Sequence, residues 1–256
     1  MSSCDMFENI KNTVIFAHRG ACALAPENTI SSFELAVTHQ ADAVELDAKL
    51  SKDGVVMVIH DPTLERTTNG AGKVNEHTLA ELKALDAGSK FDPRFAGEKI
   101  PTLEEVFEAV GKKVLVNVEL TNYSSPKDDL IAKVAEVVKK QNMQDRVLFS
   151  SFIPKNLKMM KELLPDAPVA LLCLEGLGGF LSRSFLMSNV SPAIIHPYLA
   201  DVDHIYVRLE HRRHRRVHVW TVNADQDIKH MLAMRVDGIF TDDPQKARKI
   251  MNGMKK

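Results

Sequence analysis

Three acidic side chains lie inside apolar stretches of the sequence, where carboxylates are uncommon. Glu45 and Asp47 stand two residues apart in Ala43–Leu50, and Glu119 lies in Val114–Leu120. Residues two apart on a strand point to the same face, so the first two carboxylates are expected side by side. Buried carboxylates repel each other and lose hydration, and they stay ionised when a cation neutralises them. Oxygen ligands favour a hard ion, so the sequence predicts one divalent metal ion, Mg²⁺ or Ca²⁺.

Two histidines end apolar stretches and stand next to charged residues. His18 follows the first apolar stretch and precedes Arg19, and His60 ends the third stretch and precedes Asp61. An imidazole titrates near neutral pH, so the two rings are expected to act as general acid and general base. The planar guanidinium of Arg19 suits a phosphate oxyanion, and the whole group predicts metal-assisted phosphodiester cleavage.

A purely structural arrangement is the alternative for the same residues. The three acids would then pair with basic side chains, and Arg19 would form a salt bridge with one of them. No arginine lies inside the apolar stretches to neutralise all three acids, which favours the metal site. A single histidine after a strand is more often structural, but two in equivalent positions favour catalysis.

Short apolar stretches rich in Val, Ile and Leu alternate with amphipathic segments, which predicts βαβ units and a parallel sheet. Eight or nine strands within about 250 residues predict an α/β fold, a (β/α)₈ TIM barrel whose site lies at the C-terminal ends of the strands. A doubly wound open sheet is the competitor, but its usual glycine-rich first turn is absent. The predicted strands are Val14–Ala17, Ala43–Leu50, Val55–His60, Val114–Leu120, Val147–Phe152, Val169–Leu174, Ala193–Ile195, Val217–Val222 and Gly238–Thr241.

The amphipathic segments predict helices with recognisable starts. Thr102 and Glu105 have the spacing of a capping box. Asn28 is interpreted as the cap of the first helix. Asp242 follows the last strand and is either a site residue or the cap of the last helix. The predicted helices are Asn28–Gln40, Thr102–Val110, Asp128–Gln141, Pro154–Leu164, Asp203–His214, Asp225–Arg235 and Pro244–Met251.

One long region interrupts this alternation after the second strand region. Residues 61–100 contain no buried strand and one short predicted helix, Thr78–Leu85. Long insertions after barrel strands are usually functional, so we expect this one to cover the active-site face. No linker or repeat divides the sequence, which predicts a single domain over residues 1–256.

Composition limits the classes of partner. The 256 residues carry a formal net charge of −1, which argues against a nucleic-acid partner. No apolar stretch reaches the roughly 20 residues of a membrane span. The three cysteines, Cys4, Cys22 and Cys173, are widely spaced, which is typical of free thiols in a reducing compartment and predicts a cytoplasmic protein. A homodimer is left open.

Spaced motifs across nearly the whole chain, from Val14 to Arg248, resemble those of the glycerophosphodiester phosphodiesterase family. That family belongs to the barrel superfamily of phosphodiesterases that resemble phosphatidylinositol phospholipase C. Any one motif would be weak evidence, but their number and order make the resemblance strong. The matching segments are His18–Gly20, Pro26–Thr29, Glu45–Asp47, Lys52–Gly54, His60–Pro62, Ile100–Glu105, Val219–Asn223 and Asp237–Asp242.

The resemblance implies a chemistry for the residues already singled out. Glu45, Asp47 and Glu119 would hold the metal ion, and His18 and His60 would be the acid–base pair. The family's usual reaction has the glycerol 2-hydroxyl attack phosphorus, and water then opens the cyclic phosphate. A small glycerophosphodiester would give glycerol 3-phosphate and an alcohol such as choline or ethanolamine.

One position departs from the family pattern. Many members have lysine two residues after the third carboxylate, whereas this chain has Thr121, which offers only a neutral hydrogen bond to the phosphate. Asn28 also adjoins the first strand end and is a second candidate phosphate contact. Trp220 and Phe152 follow strands and are expected to line the apolar side of the pocket, with core packing as the alternative.

Three other functions compete with this prediction. A phospholipase of C or D type acting on lysolipids would need an apolar lip, for which Leu174–Leu186 is the candidate. A catalytically inactive metal-binding barrel would be expected to lack a histidine or a metal carboxylate, yet all five are present. A metal-dependent aldolase or isomerase on the same fold would more often use a lysine, and only Lys49 stands near the acids.

Overall fold

Nine strands form one sheet in the computed structural model, which describes residues 5–7, 10, 12–176, 178–179 and 193–254. They are β1 (Val14–Ala17), β2 (Ala43–Leu50), β3 (Val56–Val58), β4 (Leu115–Leu120), β5 (Val147–Ser151), β6 (Val169–Leu172), β7 (Ile194–His196), β8 (Arg216–Val219) and β9 (Gly238–Thr241). Every strand except β3 runs parallel to its neighbours, and β1 pairs with both β2 and β9, which closes the barrel. The predicted (β/α)₈ TIM barrel is confirmed.

Burial of the strands explains why their sequences read as continuous apolar stretches. All residues of β1, β5 and β9 are buried, because each strand is covered by barrel interior on one face and by helices on the other. One large cluster packs the outer faces of β2, β4 and β5 against helices, and it includes Phe33 and Leu130.

Helices cover the outside of the barrel close to the predicted positions. They are α1 (Ile30–Thr38), α2 (Leu79–Ala84), α3 (Leu103–Val106), α4 (Leu130–Lys140), α5 (Pro154–Leu163), α6 (His204–Arg212), α7 (Asp225–Met234) and α8 (Pro244–Gly253). The capping box of Thr102 and Glu105 is present, and α3 continues as a π-helical turn, Phe107–Gly111. No helix in the part of the chain that the structure describes is long and apolar enough to cross a membrane.

Neither Asn28 nor Asp242 caps a helix, and both residues have other contacts. Thr29, with extended backbone, caps α1 by accepting the N–H of Ser32. Asn28 has a φ of 56°, a left-handed conformation that the extended N-cap position does not use. Asp243 caps α8 by accepting the N–H of Lys246, which leaves Asp242 outside the helix.

The third predicted strand differs in direction from the others. β3 runs antiparallel to the end of β2, with Ala48 opposite Val58. The two strands are joined by a tight turn in which the Ser51 N–H donates to Val55 O and Gly54 has a φ of 78°. This turn reverses the chain, so it returns toward the level of Asp47, whose carbonyl accepts the Ile59 N–H at 2.9 Å.

The insertion at residues 61–100 packs on its own apolar cluster beside the barrel. Leu64, Val74, Leu82 and Ile100 are buried together with Met57 of β3. The short helix that the sequence predicts here is confirmed as α2. The insertion thereby has a fixed position next to the end of β2, where it can contribute side chains to the site.

Candidate active site

The three predicted metal carboxylates meet at the β2–β4 pair. Asp47 lies opposite Glu119 in the strand register, and Glu45 lies two residues earlier on the same face. One ligand oxygen from each carboxylate lies within 4.8 Å of the others. Glu45 is 3% exposed and Asp47 is 1% exposed, so the barrel wall shields them from water.

The electrostatics of this cluster call for a cation. Burial raises the pKa of Glu45 well above its ordinary value, and the charges of Asp47 and Glu119 add to the effect. Burial and the charge of Asp47 raise the pKa of Glu119 to about 8. Three carboxylates with no nitrogen or sulfur ligand among them suit a hard divalent ion, so the donor set fits Mg²⁺ or Ca²⁺.

Arg19 and Asn28 surround the buried Asp47. Arg19 Nε lies 3.4 Å from Asp47 Oδ2, and its Nη1 donates to Glu27 Oε1 at 3.0 Å. The Arg19 backbone N–H also donates to Glu45 Oε2 at 2.9 Å. Asn28 Nδ2 donates to Asp47 Oδ2 at 2.8 Å. The salt bridge named as the alternative for Arg19 is present, and it fixes the guanidinium at the edge of the carboxylate cluster.

A tight turn after β1 makes these contacts possible. Arg19 and Gly20 both have positive φ, 53° and 84°. A Cβ on Gly20 would lie 2.3 Å from the Ser32 hydroxyl oxygen and 2.7 Å from its backbone, so only glycine fits there. The turn therefore brings the Arg19 backbone against Glu45 while α1 packs directly behind it.

His18 is held by a carboxylate from the far end of the chain. Its Nδ1 lies 2.7 Å from Asp242 Oδ1, and Asp242 Oδ2 accepts from Asn223 Nδ2 at 2.6 Å. Burial is the largest influence on the pKa of Asp242 and acts to raise it. Hydrogen bonds from His18, Cys22 and Asn223 outweigh burial, and the pKa of Asp242 lies below its ordinary value. An ionised Asp242 places the proton on Nδ1, which leaves Nε2 of His18 available to a substrate.

His60 is held by its neighbour, and the insertion reinforces the contact. Its Nδ1 lies 2.6 Å from Asp61 Oδ1. Arg66 donates to both oxygens of Asp61, at 2.6 and 3.0 Å, and to both oxygens of Glu27, at 2.7 and 2.8 Å. Hydrogen bonds from Arg66 lower the pKa of Asp61 to about 2. Glu27 also binds Arg19. One hydrogen-bond network therefore connects the predicted acid–base residue His60 with the predicted phosphate ligand Arg19.

Aromatic side chains line the other side of the strand ends. Phe152 contacts Tyr123 and Trp220 edge to face, each with ring centroids 5.8 Å apart, and Trp220 contacts Tyr198 at 5.3 Å. Trp220 Nε1 donates to His196 O, and Tyr123 Oη donates to Glu119 Oε1. Phe152, Trp220 and Tyr198 are half-buried, as side chains that line a pocket would be.

Thr121 has a different role from the one expected. Its hydroxyl hydrogen is directed to the carbonyl oxygen of Ala48 at 2.7 Å, so Thr121 has no donor left for a phosphate. Lys49 Nζ donates to both oxygens of Thr121, to Oγ1 at 2.8 Å and to the carbonyl at 2.9 Å. The ammonium of Lys49, on β2, therefore lies beside Thr121, the residue that follows β4.

Several of these contacts were missing from the sequence-based prediction. The sequence leaves a site role and a cap equally open for Asp242, although Pro244 at the first helical turn already indicates Asp243 as the capping residue. Arg66 lies in an insertion without periodicity, and no local pattern connects it with Asp61 or Glu27. Tyr123 lies in the loop after Glu119 and carries no motif of its own.

Comparison with known proteins identifies the family to which the chain belongs. The sequence profile described as "Glycerophosphoryl diester phosphodiesterase family" matches residues 18–246, which include every residue described above in the site. The chain belongs to this family of enzymes. The resemblance predicted from the spaced motifs, and the expected class of enzyme, are confirmed.

Relatives in this family match the chain over nearly its whole length. A glycerophosphodiester phosphodiesterase of Caldanaerobacter subterraneus subsp. tengcongensis is 40% identical over 234 residues, 91% of this chain and 95% of that protein. One from Bacillus altitudinis is 38% identical over 247 residues, 95% of this chain and 100% of that protein. A phosphodiesterase of Oleispira antarctica, solved in complex with the product sn-glycerol-3-phosphate, superposes with a TM-score of 0.87 and 31% identity, covering 94% and 97% of the two chains.

Proposed function

We propose that this protein hydrolyses small glycerophosphodiesters to sn-glycerol 3-phosphate and an alcohol. In this proposal Glu45, Asp47 and Glu119 bind one divalent ion, and His18 and His60 are the acid–base pair. The family membership and the product complex of the Oleispira antarctica relative support the substrate class. The metal ligands and the roles of the histidines are supported by their contacts.

One observation carries the proposal: three carboxylates converge within 4.8 Å at the mouth where both histidines have carboxylate partners. Such a cluster is costly in a barrel wall unless a cation neutralises it. Each imidazole bonds through Nδ1 to a carboxylate, which orients the ring. A purely structural role explains neither the repulsion among the acids nor the duplication of the histidine–carboxylate pair.

The side chains divide the reaction between them. One imidazole takes the proton from the glycerol 2-hydroxyl as its oxygen attacks phosphorus, and the other gives a proton to the departing alcohol oxygen. A cyclic glycerol phosphate results, and water opens it by the reverse proton transfers. Arg19 stabilises the negative charge on the phosphoryl oxygens, and Phe152 and Trp220 contact the apolar edge of the substrate.

A divalent ion suits the cluster, and Mg²⁺ and Ca²⁺ are both compatible with its ligands. When bound, the ion polarises a phosphoryl oxygen and lowers the barrier to attack. Asn28 keeps Asp47 oriented through Oδ2, and Tyr123 does the same for Glu119 through Oε1. Such supporting hydrogen bonds typically increase metal affinity, because they hold ligands in the binding orientation.

The experiment that tests the proposal is a product assay on purified protein. A panel of glycerophosphodiesters and lysolipids is incubated with Mg²⁺ or Ca²⁺, and the products are identified by mass. Glycerophosphocholine is expected to give glycerol 3-phosphate and choline. Phosphocholine as the product would show a different cleavage position. Turnover of lysolipids alone would favour the phospholipase alternative, whose apolar lip, Leu174–Leu186, lies largely outside the described residues.

We further propose that residues 1–256 form one domain of a cytoplasmic enzyme, with residues 61–100 as an insertion that covers the active-site face. The contacts of Arg66 with Asp61 and Glu27 support this position for the insertion. The free thiol of Cys22 is compatible with a reducing compartment. A homodimer stays a proposal to be tested by light scattering.

A further inference from the structure

Lys49 occupies a place next to the carboxylate cluster that the proposed mechanism has not used. It lies on β2 two residues after Asp47, so its side chain continues the face that carries Glu45 and Asp47. The Nζ atom is held by the hydroxyl and carbonyl oxygens of Thr121, at 2.8 and 2.9 Å. Two hydrogen bonds to one residue fix the ammonium above the strand ends.

The ammonium of Lys49 has no ion-pair partner among the described residues. The two arginines of the site differ in this respect, because Arg19 binds Glu27 and Asp47, and Arg66 binds Glu27 and Asp61. An ammonium has three N–H donors, and Thr121 accepts two of them. The third is available to an incoming group, and no carboxylate in the described part of the chain lies within salt-bridge distance of the ammonium.

The charge balance of the site calls for a cation beyond the two arginines. Three ionised carboxylates exceed the charge of one divalent ion by one, while Arg19 and Arg66 are balanced by Glu27 and Asp61. A phosphodiester brings one further negative charge, which increases the need for a cation such as Lys49. Lys49 acts electrostatically on Asp47 and Glu119 and is half-buried, so its charge is only partly screened by water.

We infer that Lys49 binds the substrate phosphate, donating its third N–H to a non-bridging phosphoryl oxygen, and that Thr121 is the anchor that positions the ammonium. This inference depends on the proposed function for the identity of the substrate. It also gives a reason for threonine at position 121. A hydroxyl that donates to Ala48 O and accepts from Lys49 holds the ammonium in place, whereas a lysine at 121 would repel it.

The test uses Lys49→Met, Lys49→Arg and the double variant Lys49→Met/Thr121→Lys. Lys73 is the matched control, because it lies near the same strand ends but forms a surface ion pair with Glu76. Calorimetry measures the binding of sn-glycerol 3-phosphate to each protein with saturating Mg²⁺, and of Mg²⁺ alone. Steady-state kinetics with glycerophosphocholine give kcat and KM.

Lys49→Met is expected to weaken sn-glycerol 3-phosphate binding by about 10- to 150-fold, the range for one hydrogen bond to a charged group. The same change is expected to tighten Mg²⁺ binding, because a positive charge next to the carboxylates is removed. General damage to the site would weaken the binding of both sn-glycerol 3-phosphate and Mg²⁺. Lys49→Arg and the double variant are expected to recover most of the affinity, and Lys73→Met to behave as wild type.

Unchanged affinity of Lys49→Met for sn-glycerol 3-phosphate would overturn the inference, as would weaker binding of both ligands. Failure of the proposed function gives a different result. In that case the wild-type protein turns over no member of the glycerophosphodiester panel, while the opposite changes in phosphate-ester and Mg²⁺ affinity still identify Lys49 as a phosphate ligand. A wild-type protein that binds no sn-glycerol 3-phosphate contradicts both.

Discussion

Replacing Asp242 by asparagine tests whether kcat depends on which ring nitrogen of His18 carries the proton. Asn223 Oδ1 accepts the Asp242 N–H at 2.9 Å and the Thr241 hydroxyl at 3.1 Å, so the Asn223 amide cannot rotate. Its Nδ2 must therefore face position 242. A new asparagine there has to offer its carbonyl oxygen to Asn223, which turns its own NH₂ toward His18 Nδ1. The imidazole then accepts at Nδ1 and carries its proton on Nε2.

The expected loss follows from the contact that is removed. The 2.7 Å bond from His18 Nδ1 to Asp242 Oδ1 is a hydrogen bond to a charged group, worth about 1.5–3 kcal/mol. At about 1.4 kcal/mol for each factor of ten, kcat should fall by about 10- to 150-fold. KM should change little, because Asp242 acts through His18 and does not touch the substrate.

Asp243→Asn is the matched control, one residue away. Asp243 caps α8 by accepting the Lys246 N–H at 2.9 Å, and asparagine is an equally good cap. Both variants are compared with wild type for kcat and KM on glycerophosphocholine, and ¹⁵N NMR of the His18 ring reports which nitrogen carries the proton. A folded Asp242→Asn protein with wild-type kcat and an unchanged ring would refute the reasoning.

His60→Ala should lower kcat by about 100-fold or more while circular dichroism stays unchanged, and a near-normal kcat would contradict the acid–base role. EDTA should abolish hydrolysis and Mg²⁺ or Ca²⁺ restore it; full activity in excess EDTA rules out the metal. Because the pKa of Glu119 in the ion-free protein is about 8, Mg²⁺ binding at pH 7 should release protons, and calorimetry in buffers of different ionisation enthalpy detects them. A binding enthalpy that does not depend on the buffer argues against proton release on Mg²⁺ binding. Hydrogen bonds from Arg66 are the largest cause of the lowering of the pKa of Asp61 from 3.8 to about 2, so this contact stabilises the folded state fully above about pH 5 and is lost as pH falls toward 2. The difference in unfolding free energy between wild type and Arg66→Gln, from urea titrations, should shrink over that range; a constant difference contradicts the assignment.

The strands that the sequence predicts best are those with the most uniform environment. The bounds of β1, β2 and β9 agree with prediction, because strands buried on both faces read as continuous apolar stretches that end at polar residues. The direction of β3 was not predictable in this way, since an apolar stretch has the same composition in either orientation. Only the turn at Gly54 indicates the reversal, and recognising it requires the positive φ.

The site residues divide in the same way. Positions that follow from a local rule were predictable, and contacts between segments far apart in the sequence were not. Glu45 and Asp47 were predictable as neighbours because alternation along a strand is a local rule. The pairing of Lys49 with Thr121 was not, because it depends on the register between two strands that lie far apart in the sequence. For Asn28 and Asp242, helix capping competes in the sequence with a role in the site, and the structure shows that both bind a site residue across the fold.

Closure of the barrel brings His18 together with the carboxylate that orients its ring. His18 follows β1 and Asp242 follows β9, 224 residues later, and the two strands pair with Ala17 opposite Thr241. The last strand in the sequence is therefore followed by the carboxylate that orients the histidine after the first strand. The Arg19 backbone reaches Glu45 only through the β1–β2 pairing, which lies on the other side of the same strand. An open sheet would retain the carboxylates on β2 and β4 but would lose the His18–Asp242 contact. Under the proposed function, metal binding therefore needs only the β2–β4 pair and its neighbours, whereas catalysis needs the closed barrel.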